Sequence, residues 1–126
     1  MSNAYFKVPV PINEPVKTYI PGSPERDQLK KKLTELKSQH IEVPLIIGGE
    51  EVKTGNTEEM VIPHNKKHVL GVYHKAGKKE VEMAIEAALE ARKTWSEMPW
   101  EQRVAIFLKM ADLLAGPWRA RINAAT

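Results

Sequence analysis

The chain has 126 residues, 42% of them hydrophobic, with 19 basic and 16 acidic side chains for a net charge of +3, nine prolines and no cysteine. That length allows one ordinary domain, and the missing thiol excludes disulfides, thiolate metal sites and a cysteine nucleophile within these residues. The basic groups are spread thinly over Lys30–Lys32, Lys66–Lys67 and Lys78–Lys79 rather than gathered in the dense, aromatic-interleaved stripe that nucleic-acid binding needs, and no apolar run approaches membrane-spanning length.

Five prolines fall before residue 25, which predicts an extended arm over residues 1–22, because such a segment cannot enter a helix or an inner strand. Ser23-Pro24-Glu25 opens a helix: Ser suits the N-cap, Pro the first helical position and Glu the positive end of the dipole. Leu29, Leu33 and Leu36 then recur at i, i+4, i+7 toward His40. Val43–Gly49 reads as one short apolar strand closed by a glycine pair, with Glu50–Thr54 returning as its hairpin partner. A second pair, Glu59–His64 and His68–His74, flanks a turn expected at Asn65–Lys67.

A long helix is predicted over Lys79–Glu97, with Val81, Ile85, Ala88, Leu89, Arg92 and Trp95 on one face and Glu80, Glu82, Glu86 and Glu90 on the other. Pro99 ends it and starts the next, where Trp100, Val104, Phe107, Leu108, Ala111 and Leu114 keep helical spacing up to Ala115. Gly116-Pro117 breaks that helix, and Trp118–Thr126 begins another that stops without a capping signal. The uncapped ending predicts a chain cut from a larger protein. The two apolar helix stripes, with no parallel strand to pack on, predict half of an interface.

No constellation of catalytic groups emerges. His64 and His68 are four apart but flank a turn and lack further ligands, so all four histidines, His40, His64, His68 and His74, read as surface or strand-end residues. No G-x-S-x-G elbow, P-loop or G-x-G-x-x-G occurs. Glu50-Glu51 and Glu58-Glu59 are strand neighbours and point to opposite faces. Arg92 and Arg103, on or beside apolar helix faces, are expected to tie a helix to a loop carbonyl or a carboxylate.

The run Ala87–Trp95 (AALEARKTW), followed by Pro99, Arg103 and Ile106–Leu114 (IFLKMADLL), resembles the N-terminal helix pair of the NAD(P)-dependent aldehyde dehydrogenase superfamily. Three further segments, Asn13–Arg26, Pro44–Thr54 and Leu114–Arg119, are similar to its 1-pyrroline-5-carboxylate dehydrogenase family, so that the resemblance covers essentially the whole chain. It implies an α/β fold, here short β-hairpins and amphipathic helices packing on a Rossmann-like NAD domain. Residues 1–22 would be an arm, and 23–126 the N-terminal portion of the NAD-binding domain, incomplete at its C-terminal end. It implies oxidation of L-glutamate 5-semialdehyde, in equilibrium with 1-pyrroline-5-carboxylate, to L-glutamate in proline catabolism. In that chemistry a cysteine thiolate attacks the aldehyde, hydride passes to NAD, and water activated by a glutamate releases the acid.

None of those groups falls on a residue of this chain, so the expected catalytic, cofactor-binding and metal residues are none. NAD would be bound by the full-length enzyme rather than by this segment. The implied partners are the remainder of the dehydrogenase chain, a small aldehyde and further copies in a homo-oligomer, with no nucleic acid or membrane. The implied compartment is the cytoplasm, or the mitochondrial matrix in a eukaryote. The competing readings are another aldehyde dehydrogenase and a non-catalytic truncated chain that binds a dehydrogenase subunit.

Overall fold

A computed structural model describes residues 4–126 as an extended N-terminal segment, four helices and five strands. The first three residues of the expected arm lie outside the described residues. The chain divides into two compact units, one running to Leu33 and resuming over Met98–Thr126, the other spanning Thr34–Glu97.

Helix α1 (Pro24–Ser38) begins and ends close to the predicted positions, with Leu29, Leu33 and Leu36 half-buried. The Ser23 carbonyl accepts from the Arg26 and Asp27 amides. Its hydroxyl is shut away without a partner among the described residues, so the expected side-chain cap is not made.

In the second unit the stretch Val43–Gly49 is not one strand. Pro44 offers no N–H to a ladder and divides it. Strand β1 (Ile41–Val43) joins one sheet; β2 (Leu45–Ile47) turns through Gly48-Gly49 into β3 (Glu50–Val52) as a separate hairpin. Both turn glycines have positive φ, 61° and 89°, the conformation that tight hairpins favour.

Strands β4 (Thr57–Ile62) and β5 (Asn65–His74) pair antiparallel, while β1 runs parallel to β5, giving the order β1-β5-β4. The turn between β4 and β5 is Pro63-His64 rather than Asn65–Lys67. Proline is preset for a turn, and the pairing already begins at Ile62 opposite Asn65, so the lysines extend the strand.

As the central strand, β5 supplies most of what is shielded: the buried described residues are Ile62, Gly71 and His74. Gly71 has φ of 154°, and a Cβ there would lie 1.9 Å from the Ile41 carbonyl oxygen. The parallel pairing of β1 with β5 therefore depends on a residue without a side chain.

Helix α2 (Lys78–Glu97) starts with Glu80 Oε2 accepting the Gly77 amide at 2.7 Å. This is the reciprocal half of a capping box, and it takes Glu80 off the solvent face where spacing put it. The helix meets the β2–β3 hairpin through Ala87, 3.5 Å from where a Gly48 Cβ would stand. Met83 and Ala87 are its half-buried apolar positions. Val81, Ile85 and Leu89 lie about half a turn away, on the opposite face, and are exposed, Leu89 at 57%.

In the first unit, α3 (Trp100–Ala115) keeps its predicted bounds and ends as the Gly116 amide reaches the Asp112 carbonyl. Helix α4 (Arg119–Ala125) follows and packs against it. The N-terminal segment from residue 4 to 20 forms no helix or strand, as its prolines dictate. Two side chains of α4 hold it: Arg119 Nη1 donates to the Pro15 carbonyl at 2.9 Å, and Asn123 Nδ2 donates to the Tyr19 hydroxyl at 3.0 Å. Tyr19 has φ of 52°, an uncommon conformation for a tyrosine.

Candidate functional site

The densest polar cluster lies where β1, β5 and the loop after β3 meet. His74 ends β5 and is 5% exposed. Its Nδ1 accepts from the backbone amides of Thr54 and Gly55, at 3.0 and 3.2 Å. Two donors on Nδ1 require its lone pair there, so the ring hydrogen sits on Nε2 and is donated to Glu42 Oε1 at 2.8 Å.

Glu42 Oε2 also accepts from Lys53 Nζ at 2.6 Å. The Lys53 bond, with that from His74, holds the Glu42 carboxyl below the usual carboxylate range, and Glu42 in turn raises the Lys53 ammonium. Thr54 Oγ1 completes the closure by donating to the Lys75 carbonyl at 3.0 Å. Beside it, Lys75 and then Tyr73 hold Glu58 below its ordinary value.

This cluster works as a clasp between three segments. Both nitrogens of His74 are committed to the fold, leaving no lone pair to take a proton from a nucleophile. The hydroxyls of Ser38 and Ser96 donate to carbonyls of their own helices, at 2.8 and 3.5 Å. His68 Nε2 meets the Lys37 carbonyl at 3.0 Å. Among the described residues no three His, Asp or Glu side chains lie together where a metal ion could be held.

His74 itself is a correction. Its position at a strand end predicts exposure, and the structure buries it in a network instead. No local signal in the sequence announces this, because its partners stand twenty and thirty-two residues away.

Arg92 and Arg103 are also corrected: neither guanidinium finds a carbonyl or carboxylate among the described residues. Arg92 is exposed, whereas the Nε of Arg103 is closed off from solvent without a partner. A small cavity of about 110 Å³, lined by Lys17, Tyr19, Glu25, Gln28 and Arg119 among others, falls below the 300–1,000 Å³ or so of a typical ligand pocket.

What the chain presents most conspicuously is uncovered apolar surface. Beyond Val81, Ile85 and Leu89 on α2, helix α3 exposes Trp100, Phe107, Met110 and Leu114, and α4 exposes Ile122. A folded monomer seldom leaves such continuous apolar faces in water. Among the described residues no helix is long and apolar enough to cross a membrane.

A profile of the aldehyde dehydrogenase family matches residues 51–120. The chain is 46% identical over 124 residues to the delta-1-pyrroline-5-carboxylate dehydrogenase of Agaricus bisporus, covering 98% of this chain and 23% of that protein. To the mitochondrial delta-1-pyrroline-5-carboxylate dehydrogenase of Homo sapiens it is 46% identical over 114 residues, 90% of this chain and 20% of that protein. It superposes with a TM-score of 0.95 and 42% identity on the Mycobacterium tuberculosis delta-pyrroline-5-carboxylate dehydrogenase crystallised with NAD and cobalamin, covering 99% of this chain and 24% of that one. The chain thus spans about a quarter of the length of the relatives it matches.

Proposed function

The chain belongs to the aldehyde dehydrogenase family, and on that premise we propose that it is the N-terminal part of an NAD-dependent dehydrogenase oxidising L-glutamate 5-semialdehyde to L-glutamate. The observation that carries this is the near-complete match, at 46% identity, to one end of a delta-1-pyrroline-5-carboxylate dehydrogenase. The arm would comprise residues 1–22, and residues 23–126 would form the outer portion of the NAD-binding domain.

The segment's contribution is scaffold. It has no cysteine to attack an aldehyde. Its residues do not fit NAD either. Gly48-Gly49, with both residues at positive φ, closes a hairpin rather than opening a helix. Cofactor binding and catalysis therefore fall to the polypeptide beyond the quarter matched here, and the exposed faces of α2, α3 and α4 are the surfaces that polypeptide would cover. Burial there supplies about 25 cal/mol for each Å² removed from water. Assembly into a homo-oligomer, in the cytoplasm or the mitochondrial matrix, belongs to the same proposal.

The test has two parts. Intact mass spectrometry of the native gene product should give several times 14.2 kDa. That product should reduce NAD when supplied with glutamate semialdehyde, while the 126-residue chain alone should not. A native product near 14.2 kDa would overturn the catalytic reading and favour a chain that binds a separate dehydrogenase subunit. A long product that reduces NAD with another aldehyde and not with this one would overturn the substrate.

A further inference from the structure

The small cavity of the first unit is too tight for a drug-sized ligand, but its wall is rich in uncommitted polar groups. Three segments build it: the N-terminal arm through Lys17 and Tyr19, the first turns of α1 through Glu25 and Gln28, and the start of α4 through Arg119. All five residues belong to the same compact unit. A volume of about 110 Å³ suits a molecule of about five non-hydrogen atoms, since a cavity of about 150 Å³ admits benzene with six.

The charges on this wall stand open. Among the described residues, Lys17, Glu25 and Gln28 have no hydrogen-bond or ion-pair partner. The lysine and the glutamate line one cavity yet stand more than 4.0 Å apart, so a gap separates two opposite charges. Arg119 has its Nη1 fixed on the Pro15 carbonyl, which orients the guanidinium and leaves its remaining N–H donors available. The Tyr19 hydroxyl accepts from Asn123 and keeps its own hydrogen to donate. Tyr19 is also the one described non-glycine residue with positive φ, 52°, and strained backbone of this kind gathers at ligand clamps.

A simple anion entering the cavity would meet Glu25, and a simple cation would meet Lys17 and Arg119. A small molecule that carries a carboxylate and an ammonium together satisfies both sides. We propose that the cavity binds a small α-amino acid. Its carboxylate is held by Lys17 and Arg119 and its ammonium by Glu25, while Gln28 and Tyr19 offer neutral hydrogen bonds. The proposal does not rest on the substrate assigned above, since no group of this cavity enters that chemistry.

Equilibrium dialysis of the native gene product against radiolabelled glycine tests this. Glycine should bind saturably, one molecule per chain, and be displaced by unlabelled glycine but not by acetate, methylammonium or inorganic phosphate at the same concentration. Glu25→Gln removes the partner of the ammonium and Lys17→Met a partner of the carboxylate; each should weaken glycine binding about tenfold, as the loss of a charge-assisted hydrogen bond does. No saturable binding would overturn the proposal. Binding untouched by both substitutions would also overturn it, by placing the glycine elsewhere on the protein. Acetate or phosphate displacing the label as well as glycine does would mark a plain anion site and overturn the amino-acid assignment. The competition is read on the unsubstituted protein, so it stands whether or not the variants fold. The NAD assay fails separately: a product that binds glycine in this manner but does not oxidise glutamate semialdehyde would remove the proposed function and leave the cavity's ligand in place.

Discussion

Replacing Gly71 with alanine should detach β1 from the sheet. The new Cβ would sit 1.9 Å from the Ile41 carbonyl oxygen and 2.8 Å from that residue's carbonyl carbon and amide nitrogen, all of them backbone atoms. Relief requires β1 to retreat by more than about 1 Å, and an N–H···O bond that begins near 2.9 Å does not survive that displacement. Three residue pairs depend on this register: Ile41 with Gly71, Glu42 with Val72 and Val43 with Tyr73. At about 1 kcal/mol for each ladder bond lost, and about 1–3 kcal/mol for alanine at that φ, the substitution should cost roughly 3–6 kcal/mol. That is a large fraction of a typical domain's stability of about 5–15 kcal/mol.

Gly49→Ala is the matched control. Its φ is 89°, but no atom lies within 4 Å of the added carbon, so it suffers the backbone strain and no collision. Urea unfolding of both variants, with amide exchange read at Ile41–Val43, separates the two costs. If Gly71→Ala shifts the midpoint no further than Gly49→Ala, or leaves the β1 amides protected, the close-approach reasoning is wrong.

Three further outcomes are expected. His74→Leu leaves the Thr54 and Gly55 amides without an acceptor and should cost about 2–4 kcal/mol; the check is a lower midpoint with fast amide exchange at both residues, and normal protection there would refute it. Glu42 has its carboxyl depressed in the folded state, so its contribution is complete above the unfolded glutamate value of about 4.3 and disappears as pH falls through the lower folded value. Glu42→Gln keeps the acceptor for His74 and removes the charge, so the unfolding curves of variant and parent should differ at neutral pH and converge in acid; a gap independent of pH would contradict this. Arg119→Ala with Asn123→Ala releases both ties on the N-terminal segment, and limited proteolysis should then cleave residues 4–20 faster than in the parent while α1 stays intact.

Local chemistry made much of this molecule legible in advance. Pro99 and Gly116 bound α3 because a proline starts a helix as readily as a glycine ends one. Gly48-Gly49 marks its hairpin because both residues must take positive φ, and the prolines before residue 22 exclude regular structure there.

What required the tertiary structure was every feature whose partners are distant along the chain. Pro44 divides an apolar run that reads as one strand, and each half finds a different sheet. His74 is buried because Glu42 and Thr54 converge on it from two other segments. The periodicity of α2 correctly finds an apolar face at Val81, Ile85 and Leu89, but periodicity reports which residues avoid water, not what they touch. In the structure the hairpin meets Ala87 instead, and the apolar face is open. Arg103 shows the same limit: its sequence context predicts a tie to an acceptor, and the fold reveals that no acceptor among the described residues is in reach.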